Sequence, residues 1–446
     1  VVRIVEVGGK VTKCRAGQRF LVQTDYRWLK TANSNAAFGY NIEGAMQQYV
    51  LMDERIITSP KGEFMLLPAS EEISASAIAL VEPWACVEDS YAVKERTRLC
   101  KNSRMLVVIE KGVDFDKNAF EAFVEKFGPA GEIVYSDGSI QEGVFNDVVY
   151  YGANADTVEK LFITVANNGL FNIVQCGGRF GRKVKSAIGR VHYGNIRIIG
   201  TSGSDPAQAM DYIPATGQIR DGDRINVIGA GGPMGVMHVI RNLCQLVNDI
   251  EVFAGDLDDE RLSLLTKVAE PIARGNGLGY TAYNAKTGKG PEGVSYSVLM
   301  APVAGLVAQA VSNSSDRGII NIFAGIPASV YGDIDLDVYV QRSLYMIGTS
   351  GSTIDDMLTV LGQVESGRLD TNISVAAVCD LENAPRAIRA VENQEIAGKI
   401  IVYPFCEGLG LCRLSELKEK MPEVAAKLND GLWTIEAEKE LIKSKG

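Results

Sequence analysis

Four glycines interrupt an apolar run at residues 227–243, VIGAGGPMGVMHVIRNL, which then continues with helical spacing. A strand that ends in glycines and leads into a helix offers backbone N–H groups and the positive end of the helix dipole to an anion. Without side chains, a pyrophosphate can also come close to the backbone. The spacing, G-x-G-G-x-x-G, is one residue away from the common G-x-G-x-x-G pattern. The segment predicts a phosphate-binding turn formed by Gly229, Gly231, Gly232, Pro233, Met234 and Gly235.

An aspartate follows this turn at the end of the next apolar run, IEVFAGD. The carboxylate of Asp256 would accept hydrogen bonds from an adenosine ribose 2′-OH and repel a 2′-phosphate, which favours NAD over NADP. Arg261 is a further candidate near the adenosine, although a solvated helix arginine is equally consistent with its position. Ligands of parallel sheets bind at the carboxyl ends of strands. The nicotinamide side is therefore predicted at the ends of three later strands, with candidates Ala301, Ala324, Gly325 and Thr349.

The chain contains an internal repeat. The hexapeptide IGTSGS occurs at 199–204 and again at 347–352, and at the same offset NIVQCG at 172–177 falls on INIFAG at 320–325. Strand and helix patterns alternate in the same order around both, which is typical of parallel sheets with crossover helices. We interpret residues 105–204 (the first repeat) and 225–352 (the second repeat) as a duplicated nucleotide-binding-type unit.

The two repeats differ at the phosphate-binding turn. In place of GAGGPMG the first repeat has EKGVDF at 110–115, whose two acids would repel a pyrophosphate. The first repeat is also shorter, which predicts the loss of one strand and one helix. Such a repeat could still cover the sheet edge of the other. This hypothesis predicts that the strands near Ile198 and Met346 pack together.

Composition narrows the class of protein. Lys and Arg number 45 and Asp and Glu 55, without long like-charge runs, so a nucleic-acid partner is not expected. No apolar stretch is long enough to span a bilayer. The eight cysteines form no CxxC pair, which favours reduced thiols and a cytoplasmic location. The two histidines, His192 and His238, are expected to be packed structural residues.

Several segments resemble, in the same order, the medium-chain dehydrogenase/reductase superfamily of zinc-type alcohol, sorbitol and threonine dehydrogenases. GPMGVMHVIRN at 232–242 is most similar to the branch that acts on hexitol phosphates, the sorbose-1-phosphate reductase type. The other segments are VVRIVEVGGKVTKCRAGQRFLVQ at 1–23, FGYNIEGAMQQYVLM at 38–52, ALVEPWACV at 79–87 and DTNISVAAVCDLENAPRAIRAVENQEIAGKIIVYP at 370–404.

The resemblance implies an α/β fold with an N-terminal β-rich, GroES-like catalytic domain, here truncated, and two tandem Rossmann-like units, of which the first is degenerate. The expected domains are the first part of the catalytic domain, the degenerate unit, the NAD-binding domain, the return to the catalytic domain and a helical C-terminal tail. Their boundaries are 1–95, 96–220, 221–365, 366–405 and 406–446.

The resemblance also implies a catalytic zinc that polarises the alcohol oxygen. The Glu of the family's "EP" motif falls on Glu82, which is the candidate catalytic and metal-binding residue; the alternative is a plain helix-start carboxylate before Pro83. The family's His–Glu pair would fall before Val1. Either the polypeptide is longer at its N-terminus, which we favour because an initiating Met is missing, or zinc is absent.

The expected activity is NAD-dependent hydride transfer between the cofactor and a secondary alcohol or ketone, with a sugar alcohol or its phosphate as substrate. Two alternatives remain: a non-catalytic NAD-binding structural or sensing subunit, and a zinc-free reductase of the same superfamily. A homo-oligomer is expected, because relatives pair their nucleotide domains across a dimer axis.

Overall fold

The computed structural model describes residues 1–32, 35–139, 143–349 and 351–445 of the chain. The strands are β1 (Val2–Arg3), β2 (Arg19–Val22), β3 (Asp25–Lys30), β4 (Asn35–Ala37), β5 (Leu66–Pro68), β6 (Arg104–Ile109), β7 (Glu132–Ser136), β8 (Phe145–Tyr151), β9 (Val165–Val174), β10 (Val184–Ser186), β11 (Arg197–Thr201), β12 (Arg224–Ile228), β13 (Glu251–Asp256), β14 (Gly279–Asn284), β15 (Val294–Leu299), β16 (Ser314–Ile322), β17 (Gly332–Ile334), β18 (Tyr345–Ile347), β19 (Val375–Asp380), β20 (Lys399–Tyr403) and β21 (Cys412–Arg413). The α-helices are α1 (Glu54–Ile57), α2 (Ala75–Ala79), α3 (Val81–Ala92), α4 (Lys117–Phe127), α5 (Ala155–Leu161), α6 (Gly189–Tyr193), α7 (Ala207–Met210), α8 (Pro233–Leu243), α9 (Asp259–Gly275), α10 (Ala304–Asn313), α11 (Leu336–Gln341), α12 (Ile354–Glu365), α13 (Ala384–Glu392), α14 (Leu417–Lys420), α15 (Pro422–Ala425) and α16 (Ile435–Lys445).

The chain divides into two compact units. The first consists of Val1–Glu88, Gly232–Met237 and Gly351–Gly446, and the second of Asp89–Gly231 and His238–Ser350. No helix among the described residues combines the length and the apolar character needed to cross a bilayer.

The first unit is built from short strands and peripheral helices. Its strand orders are β1-β2-β5, β3-β4 and β20-β19-β21, and Phe20 and Leu66 lie in its core. The sequence predicts a helical C-terminal tail at 406–446. The structure also has a strand in this tail, β21, which pairs antiparallel with β19 through Cys412 and Arg413. Glu438 on α16 anchors the tail, since its carboxylate accepts the N–H groups of Ala75 and Ser76 at the start of α2.

The second repeat carries a parallel sheet of order β14-β13-β12-β15-β16-β18. The strand order reverses between β12 and β15, because β13 and β14 are added on one side of β12 and the later strands on the other. The central strands β12 and β15 are mostly buried, as expected for a parallel sheet covered on both faces.

The first repeat carries the same sheet in shorter form, of order β11-β9-β8-β6-β7. This corresponds strand by strand to β18-β16-β15-β12-β13 of the second repeat. Among the described residues of the first repeat, no strand or helix corresponds to β14 or α9. The predicted loss of one strand and one helix is confirmed.

A local two-fold relationship joins the repeats. β10 and β17 pair antiparallel around Lys185 and Asp333, which are equivalent residues of the two repeats. Equivalent contacts also recur in pairs. A Cβ on Gly348 would lie 3.0 Å from the Cα of His192, and a Cβ on Gly200, the equivalent glycine, would lie 2.7 Å from Val340.

The edge strands β11 and β18 lie side by side in this arrangement. The hydroxyl of Tyr339, which is fully buried, donates to the carbonyl of Ile198 at 2.9 Å and accepts the N–H of Met346 at 3.0 Å. The predicted packing of the strands near Ile198 and Met346 is therefore confirmed. Both repeats share one hydrophobic core, which includes Ile173, Val191 and Ile322.

Candidate functional site

The glycine turn begins where β12 ends. Gly229 has a φ of +90°, a conformation that favours glycine, and a Cβ there would lie 3.1 Å from the side chain of Met300. The N–H groups of Gly229 and Ala230 both donate to the carbonyl of Gly255 on β13, at 2.8 and 2.9 Å. These contacts hold the turn against the neighbouring strand.

Asp256 and Gly231 are joined directly. The N–H of Gly231 donates to Oδ2 of Asp256 at 2.8 Å, and the N–H of Leu257 donates to Oδ1 at 2.7 Å. A Cβ on Gly231 would lie 2.7 Å from the Cβ of Arg261 and 3.0 Å from the Asp256 carboxylate. A side chain is thus excluded at Gly231. The Asp256 carboxylate is oriented by three backbone N–H groups, of which the third, from Asp258, donates to Oδ1 at 3.2 Å.

Helix α8 follows the turn and starts at Pro233, which suits the first helical position because its missing N–H would have no partner there. The N–H of Val236 donates to the carbonyl of Gly232 at 2.9 Å. The N–H groups of Met234 and Gly235 precede this bond, so the helix itself provides them with no acceptor. Such amides are the groups that bind phosphate oxygens at helix starts.

The remaining predicted cofactor residues follow the carboxyl ends of their strands. Ala301 comes after β15, and Ala324, with Gly325, comes after β16; the N–H of Ala324 donates to the carbonyl of Leu299 at 2.9 Å. Thr349 follows β18, and its hydroxyl donates to Asp89 at 2.7 Å. The positions agree with the expected edge of the sheet, and the binding roles stay predictions.

Two residues of the first repeat, His192 and Tyr193, also reach this edge of the sheet. Nδ1 of His192 lies 2.9 Å from the carbonyl oxygen of Ile322, the last residue of β16. The hydroxyl of Tyr193 lies 2.7 Å from the position of a Cβ on Gly325. The repeat predicted that β11 and β18 pack together, whereas no spacing in the sequence indicated that α6 lies at this edge.

Both histidines are packed structural residues, as predicted. Burial lowers the pKa of His192, against a smaller opposite effect of its hydrogen bond to Ile322. His238 is fully buried on α8, and its Nδ1 lies 2.8 Å from the hydroxyl of Tyr91.

The corresponding turn of the first repeat is filled by a side chain. Glu110, directly after β6, accepts hydrogen bonds from the hydroxyls of Thr157 at 2.5 Å and Tyr150 at 3.1 Å. A Cβ on Gly152 would lie 2.5 Å from Cγ of Glu110, so the Glu110 side chain fills the space at the strand ends. The first repeat has the sheet of a nucleotide-binding unit without its phosphate turn.

Glu82 lies in the first turn of α3, within a small polar cluster. Its Oε1 accepts from the hydroxyl of Ser352 at 3.1 Å and from the thiol of Cys86 at 3.4 Å. Burial lowers the pKa of Lys399, and the nearby Glu82 and Cys86 oppose this by raising it. These contacts are those of a packed, partnered carboxylate.

Among the residues that the structure describes, the donors around Glu82 are too few to hold a zinc ion. Within 1–32, 35–139, 143–349 and 351–445, no three His, Cys, Asp or Glu side chains lie close enough together to hold a metal ion. The donor chemistry of the glycine turn does fit a dinucleotide, because helix α8 provides the N–H groups of Met234 and Gly235 with no acceptor.

The fold is that of dehydrogenases that combine a GroES-like domain with a Rossmann-type sheet. It is shared with 2R,3R-butanediol dehydrogenase from Bacillus subtilis, with a TM-score of 0.50, 15% identity, and coverage of 90% of this chain and 78% of that one. At this identity the likeness shows the fold alone.

Two curated proteins are similar in sequence. The uncharacterized protein YggP of Escherichia coli K12 is 23% identical over 249 residues, which are 51% of this chain and 58% of that protein. Mannitol-1-phosphate 5-dehydrogenase of Aliivibrio fischeri is 24% identical over 247 residues, 50% of this chain and 57% of that protein. The matches thus span less than three fifths of the relatives' own length. No family model matches the chain.

Proposed function

We propose that the chain is an NAD-dependent oxidoreductase of the medium-chain type, which interconverts a secondary alcohol and its ketone. The observation that carries the proposal is the bond between Gly231 and Asp256. It places a side-chain-free turn and an oriented carboxylate next to each other at the carboxyl end of β12 and β13. This is the combination that a pyrophosphate and an adenosine ribose require.

The residues at the carboxyl ends of these strands have separate proposed roles. The amides of Met234 and Gly235 bind phosphate oxygens, and Asp256 accepts the ribose hydroxyls. The segments after β15, β16 and β18, with Ala301, Gly325 and Thr349, border the nicotinamide half. When bound, NAD would supply the hydride acceptor, and these residues of the chain would orient it.

The proposed substrate is a sugar alcohol or its phosphate. The support is the similarity to mannitol-1-phosphate 5-dehydrogenase and the motif GPMGVMHVIRN at 232–242. The substrate class is tested by supplying hexitols and hexitol phosphates in parallel with NAD and following formation of the reduced cofactor. Turnover of simple secondary alcohols only would contradict this part of the proposal. We also propose a homo-oligomer, which light scattering on the purified chain tests.

The cofactor assignment is tested by exchanging the carboxylate for an amide. In Asp256→Asn the charge that repels a 2′-phosphate is gone, so the preference for NAD over NADP in binding should fall at least about tenfold, a change of about 1.4 kcal/mol. Asp316→Asn, an exposed aspartate before the buried part of β16, is the matched control and should leave the preference unchanged. An unaltered preference in Asp256→Asn contradicts the assignment.

A second candidate is an NAD-binding chain without turnover, or a zinc-free reductase. The observation in its favour is the lack of a three-ligand cluster in the part of the chain that the structure describes. Metal analysis of the purified protein, followed by a hydride-transfer assay with and without a chelator, distinguishes a zinc enzyme, a zinc-free reductase and a non-catalytic subunit. Chelator-sensitive turnover supports a zinc enzyme, chelator-resistant turnover a zinc-free reductase, and NAD binding without turnover a non-catalytic subunit.

A further inference from the structure

Helix α6 of the first repeat is fixed on the segment that follows β16 of the second repeat. The N–H of Gly189 donates to the carbonyl of Val330 at 3.1 Å. A Cβ on Gly189 would lie 2.0 Å from the carbonyl oxygen of Pro327, so the helix and this segment are in backbone contact. With His192 bound to Ile322 at the other end, α6 has little freedom to move along the segment.

This contact places Tyr193, the last residue of α6, over Gly325. The Tyr193 hydroxyl lies 2.7 Å from a Cβ position on Gly325, yet 61% of the residue's surface remains exposed. The ring is thus positioned by the helix that carries it while one side stays accessible to a ligand. His192 packs edge-on against it, with ring centroids 4.7 Å apart.

The location corresponds to the nicotinamide half of the proposed site. Asp256 ends β13 and Gly325 follows β16, and β12 and β15 lie between these strands. Three strand spacings separate the two positions by about 14 Å along the edge. A dinucleotide that lies across the reversal of strand order, with its ribose at Asp256, extends its other half toward Gly325.

The repeat itself provides an internal comparison. The residue equivalent to Gly325 in the first repeat is Gly177, and nothing lies within 4 Å of a Cβ position there. The residue equivalent to Tyr193 is Gln341, which is exposed at the end of α11. The aromatic side chain is present only over the repeat that retains the glycine turn.

We propose that Tyr193, on the repeat without a phosphate turn, contacts the nicotinamide half of the dinucleotide held by the other repeat and sets its position. The inference rests on the proposed function, because it requires a dinucleotide on the glycine turn. The aromatic ring provides an apolar face for the nicotinamide, and the hydroxyl provides a donor and an acceptor for its carboxamide.

The test compares two ligands that differ only at this half. Equilibrium binding of NADH and of ADP-ribose, which lacks the nicotinamide, is measured by titration calorimetry with the full chain. Tyr193→Ala should weaken NADH binding about tenfold and change ADP-ribose binding less than twofold. Tyr193→Phe retains the ring and should lose only part of the NADH affinity.

Ile163→Ala is the matched control. Ile163 belongs to the same repeat, is 64% exposed, and precedes the amino end of β9, at the opposite edge of the sheet. It should leave both affinities unchanged.

The outcomes separate the inference from the proposed function. If the unaltered chain binds both ligands and Tyr193→Ala weakens both equally, or neither, the role of Tyr193 is overturned while the cofactor assignment stands. If the unaltered chain binds neither ligand, the proposed function fails and this inference fails with it.

Discussion

The hydroxyl of Tyr339 lies 2.9 Å from the carbonyl oxygen of Ile198, on the edge strand of the other repeat. The same hydroxyl accepts the N–H of Met346, so one side chain satisfies a main-chain group on each of two neighbouring sheet edges. Unpaired edge groups favour association with other chains. Here the two edges are covered by each other.

Tyr339→Phe should therefore destabilise the second unit although it changes only one atom. The substitution leaves buried main-chain groups of Ile198 and Met346 without this partner, which costs about 1–3 kcal/mol. The difference in the free energy of unfolding is measured by urea denaturation. Tyr40→Phe, at a residue that is 78% exposed, should change it by less than about 0.5 kcal/mol. Equal stability of both variants would show that the bridging hydroxyl contributes nothing.

Arg197 and Glu95 form a buried ion pair at 2.7 Å, with 7% and 4% of their side chains exposed. Arg197→Met leaves the buried Glu95 carboxylate without its cation, although the Tyr345 hydroxyl still donates to it, and should cost about 3–5 kcal/mol. Arg274→Met, which breaks the exposed pair with Glu270 on α9, should cost less than about 1 kcal/mol. The free energies of unfolding of the two variants are compared under the same conditions. A loss of less than about 1 kcal/mol in Arg197→Met would contradict a stabilising role of the buried ion pair.

Gly231→Ala should weaken dinucleotide binding more than it destabilises the fold. The added methyl group would lie 2.7 Å from the Cβ of Arg261 and 3.0 Å from the Asp256 carboxylate, so the turn must shift away from Asp256. NADH affinity is expected to fall at least about tenfold, which corresponds to about 1.4 kcal/mol. Gly305→Ala, where nothing lies within 4 Å of the new methyl group, is the control. Unchanged affinity in Gly231→Ala would place the cofactor elsewhere.

His238 should make the stability depend on pH. Burial, and to a smaller extent the Arg241 guanidinium, lower the pKa of His238 from 6.5 to about 3. Between these values the unfolded chain binds a proton that the folded chain does not, so the stability is full above about pH 6.5 and falls as the pH drops. The slope from this residue approaches about 1.4 kcal/mol per pH unit.

The midpoint of urea unfolding, followed from pH 7 to pH 5, measures this slope. His238→Leu should make the dependence shallower than in the unaltered chain. Tyr91→Phe removes the hydrogen bond to Nδ1 but keeps the titrating ring, so it should lower the stability while it retains the slope. Identical slopes in all three proteins would contradict the buried, neutral His238.

The glycine turn and the repeated sheet could be predicted from the sequence because both depend on local requirements. Gly229 needs a positive φ and Gly231 a free approach, and each requirement leaves a glycine in the sequence. The repeat offset likewise survives as IGTSGS, which placed β11 and β18 correctly. The contact of Tyr193 with Gly325 left no such trace, because it joins positions 132 residues apart through the packing of α6.

The position of Glu82 could also be predicted from the sequence, but not all of its contacts. The motif ALVEPWACV predicts a carboxylate at the start of a helix, and the structure has it there. Cys86 lies one helical turn after Glu82, but Ser352 and the nearby Lys399 come from distant segments with no recognisable spacing, so the sequence could not identify these two. The metal role that the resemblance implied for Glu82 stays a prediction.

β10 and β17 pair within one chain, so the effective concentration of each repeat relative to the other is constant. In an assembly of separate subunits, a residue contributed across the axis is lost when dilution drives dissociation. Tyr193 and His192 reach the second repeat from the same polypeptide, so the contacts they make there persist at any dilution at which the chain stays folded.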